Sequence, residues 1–192
     1  MYAHDKNCVA LFVYGLRPFY TNYTPQFLRV IQTFANNMKI NRDITINAPA
    51  ALITSFLTEP ELLKLWIKTM SNYHNVSTPP NGDYVGSKHM YDAGGKTFEQ
   101  TIIKFVPERE FKSGFECSDY AYEDEFYLNE LNGRTRVTGQ CRVTFKTLKW
   151  KLTGLFLGFA IRIDFSNNMN LLKDAVENKS EQDATGNPLP AE

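Results

Sequence analysis

The chain has 192 residues, of which 22 % are charged and 43 % are hydrophobic. This length fits one domain, since about 100–200 residues per domain is usual, and the composition excludes disorder, collagen and coiled coil. Lysine plus arginine (21) equals aspartate plus glutamate (21), whereas a nucleic-acid-binding protein usually shows a basic excess or a basic stripe. We therefore expect a globular domain that does not bind nucleic acid.

The cysteine and hydropathy patterns favour a reducing, aqueous compartment. Cys8, Cys117 and Cys141 form neither a C-x-x-C motif nor a zinc pattern, which favours free thiols. The longest apolar runs, 9–15 and 155–160, are far shorter than the roughly 20 residues that span a bilayer. The N-terminus lacks the charge and cleavage pattern of a signal peptide. We expect a cytoplasmic protein with no transmembrane segment.

Residues 1–38 differ from the rest of the chain and predict an N-terminal extension. Apolar residues recur at helical spacing within 25–37, which predicts a short helix there. A complete domain pattern begins at Met38. Our hypothesis is that Met38 is a second start and that residues 1–37 are an appendage.

Two short helices are expected directly after the first strand. That strand, 38–46, carries isoleucines of one parity. Pro49 is well placed in the first turn of a short apolar helix at 50–57. Thr58-Glu59-Pro60-Glu61 has the T-x-x-E pattern of a capping box and opens the second helix. A plain β-sandwich would have a hairpin at this position.

Strands separated by short turns follow, at 84–91, 96–106, 109–118, 121–131 and 134–146. Asn132-Gly133 between the last two strands is a strong hairpin signal. Short turns at this regular spacing predict an antiparallel meander. Strand 96–106 has apolar residues of both parities near its end, so its inner face is left unassigned.

A long helix is expected to close the domain. Apolar residues follow helical periodicity from Leu152 to Ile163, and an apolar face continues to about Asn178. The polar stretch 179–192 predicts a disordered tail. The domain itself is therefore expected at 39–178.

This order of elements resembles the helix-grip fold of the START-like, or SRPBCC, superfamily. Ile44–Pro49 resembles the opening strand and the Ala-Pro helix start of that family, Leu57–Trp66 its T-D-P-E…W helix, and Gly133–Thr138 its G-T-R-V-T strand. Further matches are Tyr84–Ser87 with Gly94-Gly95, Glu99–Pro107 and Leu172–Glu177.

The resembling segments cover about residues 39–178, and the subgroup they resemble most is the polyketide cyclase/dehydrase and lipid-transport type. Arg134 departs from that subgroup, which often has a second glycine there. The resemblance implies an α+β fold, in which a curved antiparallel sheet wraps around a long C-terminal helix and encloses a cavity.

The apolar faces of the strands and of the final helix supply the candidate lining of that cavity. Aromatic and aliphatic residues line ligand pockets and also fill dry cores, so each candidate can serve in either way. The candidates are Phe111, Phe115, Cys117, Phe126, Leu128, Val137, Cys141, Val143 and Phe145 from the strands, and Leu155, Phe156 and Phe159 from the helix.

Tyr122 and Asp124 share the inward parity of Phe126 and are the candidate catalytic residues. A buried carboxylate needs a partner or a raised pKa, and it could then act as an acid or a base. Alternatively, the acidic run Glu123-Asp124-Glu125 lies at a rim in water.

No metal and no cofactor are expected. The histidines, His4, His74 and His89, do not have metal-ligand spacing. The sequence contains no G-x-S-x-G, no P-loop and no G-x-G-x-x-G.

The expected function is non-catalytic binding or transport of a hydrophobic small molecule or lipid. The first alternative is a cyclase or dehydrase acting on a polyketide-like or aromatic substrate. The second is a protein-interaction module, such as a chaperone-ATPase activator. The sequence leaves the ligand identity and the oligomeric state open.

Overall fold

The computed structural model of the protein describes residues 38–80 and 82–185, and of residues 148–149 and 151–157 it describes the backbone alone. The strands are β1 Met38–Ile46, β2 Ser71–Ser77, β3 Lys88–Ala93, β4 Lys96–Val106, β5 Glu110–Glu116, β6 Tyr120–Leu131 and β7 Arg134–Phe145. The helices are α1 Ala50–Thr58, α2 Pro60–Trp66 and α3 Leu148–Thr185.

The strands form one seven-stranded antiparallel sheet in the order β1-β7-β6-β5-β4-β3-β2. From β3 to β7 each strand pairs with its predecessor, which is the predicted meander. The first strand closes the sheet by pairing with the last, from Met38 opposite Val143 to Ile46 opposite Thr135. The predicted α+β class and helix-grip arrangement are confirmed.

Strict alternation along β7 separates the two faces of the sheet. Val137, Cys141 and Val143 are buried on the inner face, as alternation requires. On the outer face the Glu123 carboxylate pairs with Lys112 at 3.1 Å and with Arg142 at 3.8 Å. The outer face is therefore charged and solvated, whereas the inner face packs against α3.

The two short helices cover one end of the sheet. Pro49 provides no side-chain cap for α1, and the Ala50 N–H donates instead to the Glu130 carboxylate of β6 at 2.7 Å. Such a carboxylate at a helix N-terminus accepts a hydrogen bond from an otherwise unpaired amide, and its negative charge interacts favourably with the helix dipole. The Trp66 indole N–H donates to the Phe56 carbonyl at 3.0 Å, which holds α2 against α1.

The C-terminal half of α3 packs closely on the sheet. Met169 is buried over Gly139, where an added Cβ would lie 2.7 Å from the Met169 sulfur. Near the end of the helix, the Glu177 carboxylate accepts hydrogen bonds from both the backbone N–H and the side-chain amide of Asn47, each at 2.8 Å. These contacts fix α3 against the first strand and its following turn.

Two segments differ from the sequence-based expectation. Strand β2 was not expected, because its exposed residues have no apolar alternation. The helix runs past Asn178 to Thr185, where Lys179 pairs with Asp183 at 2.7 Å, so the first part of the expected disordered tail is helical. The expected extension at 1–37 and the remainder of the tail, 186–192, lie outside the described residues.

Candidate functional site: an interior cavity beneath helix α3

A cavity of about 480 Å³ lies between the inner face of the sheet, α3 and the end of α2. Protein interiors have few voids larger than one water molecule. The space is partly open to solvent and would hold more than ten waters at about 30 Å³ each. Its size lies in the range of small-molecule sites, roughly 300–1,000 Å³.

Most of the strand residues expected to line the cavity do so: Phe111, Phe115, Phe126, Cys141, Val143 and Phe145. Cys117, Leu128 and Val137 are buried but do not line it. Phe159 does not face the cavity either, and its side chain is 74 % exposed. The side chains of Leu155 and Phe156 lie outside the described part of the chain.

The position of Phe159 follows from the helical period. The cavity-facing stripe of α3 contains Ile161, Asp164 and Phe165, which lie at helical spacing. At about 100° per residue, Phe159 lies roughly 200° from Ile161 around the helix axis. Its side chain therefore points away from the sheet.

Asp124 lines the cavity from the middle of β6. Antiparallel pairing places it opposite Ser113 of β5 and Cys141 of β7. Its Oδ1 atom is buried and has no hydrogen-bond partner among the described residues. Burial raises the pKa of Asp124 from its ordinary 3.8 to about 7, while a hydrogen bond from the Cys141 thiol acts in the opposite direction and lowers the pKa. The carboxyl group can therefore gain or lose a proton near neutral pH.

Ser113 is a second unpartnered polar group beside Asp124. It is 1 % exposed, and its hydroxyl finds no hydrogen-bond partner among the described residues. Sequence reasoning missed this residue, although its parity with Phe111 and Phe115 could have revealed it. Buried polar groups are usually hydrogen-bonded, and each exception calls for an explanation.

Two tyrosines form a polar bridge across the cavity floor. The hydroxyls of Tyr91 and Tyr122 lie 2.8 Å apart. The Tyr122 ring stacks on Phe115 at 4.4 Å, and the Tyr91 ring stacks on Phe98 at 5.5 Å. Burial raises the pKa of both hydroxyls above the ordinary value of 10, so both remain neutral.

The cavity rim carries the remaining charged groups. The Lys96 ammonium lies 4.8 Å from the Trp150 ring centre and 5.1 Å from that of Tyr120. It is also paired with the Asp119 carboxylate. On α3, partial burial raises the pKa of Asp164. Sequence reasoning did not identify Lys96, Trp150 or Asp164, because a rim is defined only by how strands and helix meet.

His89 is buried next to the cavity rather than in its wall. It stacks on Tyr73 at 5.2 Å, and neither ring nitrogen has a partner among the described residues. Burial lowers the pKa of His89, so the ring is neutral. Within 38–80 and 82–185, no group of three or more histidine, cysteine or acidic side chains is arranged to hold a metal ion.

Comparison with solved structures identifies the fold. A START superfamily protein from Mycobacterium smegmatis matches with a TM-score of 0.58 and 15 % identity, over 75 % of this chain and 97 % of that chain. The Aha1 dimer from Colwellia psychrerythraea matches with a TM-score of 0.54 and 20 % identity, over 72 % and 96 %. Ara h 8.0201 matches with a TM-score of 0.56 and 13 % identity, over 75 % and 97 %.

The chain therefore has a START-like helix-grip fold. Neither a protein-family model nor a curated protein matches the sequence. No helix in the described part of the chain is long and apolar enough to cross a bilayer.

Proposed function

We propose that the protein binds a hydrophobic small molecule or lipid in the cavity beneath α3. The observation that carries this proposal is a space of about 480 Å³ with mostly aromatic and aliphatic walls and a few polar groups. Apolar walls with a small number of placed polar groups are typical of ligand pockets. The START-like fold supports the proposal, since the resemblance to that family implies a cavity between the sheet and the long helix.

The walls suit a ligand with an aromatic or branched apolar body. Phe115 is stacked with Tyr122, and Phe111 packs near Phe126 with ring centres 6.5 Å apart. These rings contribute large apolar surfaces at fixed positions, and burial of apolar area is the main favourable term in such binding. The rim at Lys96 and Trp150 is the expected entrance.

A cavity-filling substitution tests the proposal. Val143 lines the cavity and is buried, whereas Thr144 points outward and is exposed. We expect Val143→Trp to abolish the fluorescence increase of the uncharged probe N-phenyl-1-naphthylamine, because the indole occupies the space that the probe needs. Thr144→Trp is the matched control and should bind the probe like the unmodified protein. Equal binding by both variants would contradict the proposed site.

Native mass spectrometry of freshly purified protein is the complementary experiment. An adduct that disappears on denaturation and extraction would give the ligand class directly. Loss of the same adduct in Val143→Trp, but not in Thr144→Trp, would place the ligand in the cavity.

The raised pKa of Asp124 favours one alternative, an enzyme of the cyclase or dehydrase type acting on a polyketide-like or aromatic substrate. A carboxyl group with a pKa of about 7 is suited to proton transfer at neutral pH. Hydrogen–deuterium exchange at the central carbon of 1-phenyl-1,3-butanedione, followed by NMR, would detect such activity. Asp124→Asn should then lose exchange and keep binding; exchange unchanged from the buffer rate would exclude this alternative for that substrate.

Two further proposals concern protein interaction and cellular location. The Aha1 likeness supports the fold alone, so an interaction module such as a chaperone-ATPase activator stays an alternative, to be favoured if neither experiment detects a ligand. Cys117 and Cys141 are free and buried, which fits the reducing cytoplasm that we propose as the location.

A further inference from the structure

The polar groups of the cavity restrict the chemistry of the ligand. Resting on the proposed function, we propose that the cavity takes a hydrophobic amine, whose protonated nitrogen donates to the Asp124 carboxylate beside Ser113. The apolar body of the ligand would lie against the aromatic walls. This goes beyond hydrophobic binding, because it names the functional group that the ligand must carry.

Two buried polar groups at the centre of the sheet have unmet hydrogen-bonding capacity. Asp124 and Ser113 lie opposite each other on β6 and β5. Oδ1 of Asp124 and Oγ of Ser113 are buried and without partners among the described residues. A carboxylate is close to two-fold symmetric about its last torsion, so either oxygen can turn toward the cavity. A ligand with a hydrogen-bond donor would satisfy both groups.

The titratable groups that face this space are mostly acidic or neutral. Asp124 on β6 and Asp164 on α3 are acidic, and Lys96 on β4, the cation in the described wall, is paired with Asp119. The neighbouring hydroxyls and thiol stay neutral, because burial raises the pKa values of Tyr91, Tyr120, Tyr122 and Cys141. The described wall therefore offers carboxylates and no unpaired cation.

These two observations together distinguish three ligand head groups. A carboxylate ligand would place a second anion beside Asp124 without a counter-ion, which is costly in a buried site. An alcohol would make a neutral hydrogen bond. An ammonium would make a charge-assisted bond, which is roughly twice as strong as a neutral one, and it would neutralise the buried carboxylate.

The test uses three probes with one apolar body: 2-naphthylmethylamine, 2-naphthylmethanol and 2-naphthoate, titrated by calorimetry at pH 6.5. We expect the amine to bind about tenfold more tightly than the alcohol, and the acid to bind least. Equal affinity for amine and alcohol, or tightest binding of the acid, would overturn the amine proposal while leaving the proposed function intact. Absence of binding by all three would overturn both.

Two variants test whether Asp124 is the group that contacts the amine. Asp124→Asn should reduce the affinity for the amine about tenfold, to that of the alcohol, and leave the alcohol unchanged. Glu125→Gln, one residue away on the outer face, is the matched control and should bind all three probes like the unmodified protein. Equal loss of amine affinity in both variants would contradict a specific contact with Asp124.

A measurement on the unmodified protein guards against a variant that fails to fold. Because its pKa is about 7, Asp124 is largely protonated at pH 6.5. Pairing with an ammonium requires the deprotonated carboxylate form. Amine binding should therefore release protons, seen as a binding enthalpy that depends on the ionisation enthalpy of the buffer, and alcohol binding should not. Proton release that is the same for both probes would overturn the proposal.

Discussion

The hydroxyls of Tyr91 on β3 and Tyr122 on β6 lie 2.8 Å apart, although β4 and β5 lie between their strands. The Tyr91 ring stacks on Phe98 of β4, and the Tyr122 ring stacks on Phe115 of β5. Both rings extend over the intervening strands, which brings the two hydroxyls together. The bridge therefore connects four strands through side chains and forms the cavity floor without leaving a buried hydroxyl unpaired.

Removing the second hydroxyl of the bridge should cost little once the first has been removed. Tyr122→Phe leaves the Tyr91 hydroxyl buried without a partner, so we expect a loss of about 1–2 kcal/mol in the free energy of unfolding. The double variant Tyr91→Phe/Tyr122→Phe should be little less stable than either single variant. Urea unfolding of all four proteins gives the coupling energy. Strictly additive losses would show that the bridge does not contribute as a unit.

Burial of Asp124 should make the free energy of unfolding depend on pH. In the unfolded chain this group loses its proton near 3.8, whereas in the folded protein it keeps the proton up to about pH 7. The folded state binds more protons over this interval, so stability falls as the pH rises from about 4 to 7. The slope from this one group is at most about 1.4 kcal/mol per pH unit.

Comparison with Asp124→Asn isolates this contribution. The amide cannot ionise, so the variant should gain stability relative to the unmodified protein between pH 5 and pH 8, as measured by urea unfolding. Glu125→Gln should follow the unmodified protein much more closely. A stability difference between Asp124→Asn and the unmodified protein that does not change with pH would show that the Asp124 pKa is not raised.

Alternation made much of the fold predictable from sequence, but not all of it. In β7 the inward and outward residues differ clearly in polarity, so the inner face could be assigned. In β4 a register shift between Ile102 and Lys104 changes the parity of the inner face: Ile102 is 1 % exposed and Ile103 is 41 % exposed, yet Phe105 packs against the core. This irregularity explains the apolar residues of both parities. Strand β2 could not be predicted from the sequence, because its residues are mostly exposed and polar. Backbone pairing with β3, and not an apolar face, holds it in the sheet.

The cavity itself could not be predicted from the alternation of residues along the strands. Val137 and Val143 lie on the same face of β7 and are both buried, yet only Val143 lines the cavity. The difference depends on where α3 touches the sheet and where it stands away from it. Asp124 was identified by its inward parity, while its near-neutral pKa depends on the surrounding tertiary burial.

The hypothesis that Met38 is a second start can be tested by deletion. We propose that residues 39–178 contain the folding unit and that residues 1–37 are an appendage. β1, which begins at Met38, pairs along its whole length with β7, so a chain that begins at Met38 keeps this strand. We expect it to unfold cooperatively with a melting temperature close to that of the full chain. Loss of folding would show that residues 1–37 belong to the core.

Gly139 allows α3 to approach the sheet, and this contact should be sensitive to added volume. A Cβ at this position would lie 2.7 Å from the Met169 sulfur and 3.1 Å from the edge of the Phe165 ring. The backbone of Gly139 has no positive φ, so the effect of a substitution comes from packing. We expect Gly139→Val to lower the free energy of unfolding by about 1–3 kcal/mol, as overpacking of a core does.

A compensating substitution distinguishes this contact from a general loss of structure. Met169→Ala alone should cost about 2–5 kcal/mol, because it leaves a void in the core. The double variant Gly139→Val/Met169→Ala should lose clearly less than the sum of the two, since the valine occupies space that the methionine has vacated. Urea unfolding of the four proteins measures the coupling. Additive losses would mean that Gly139 does not set the distance between α3 and β7.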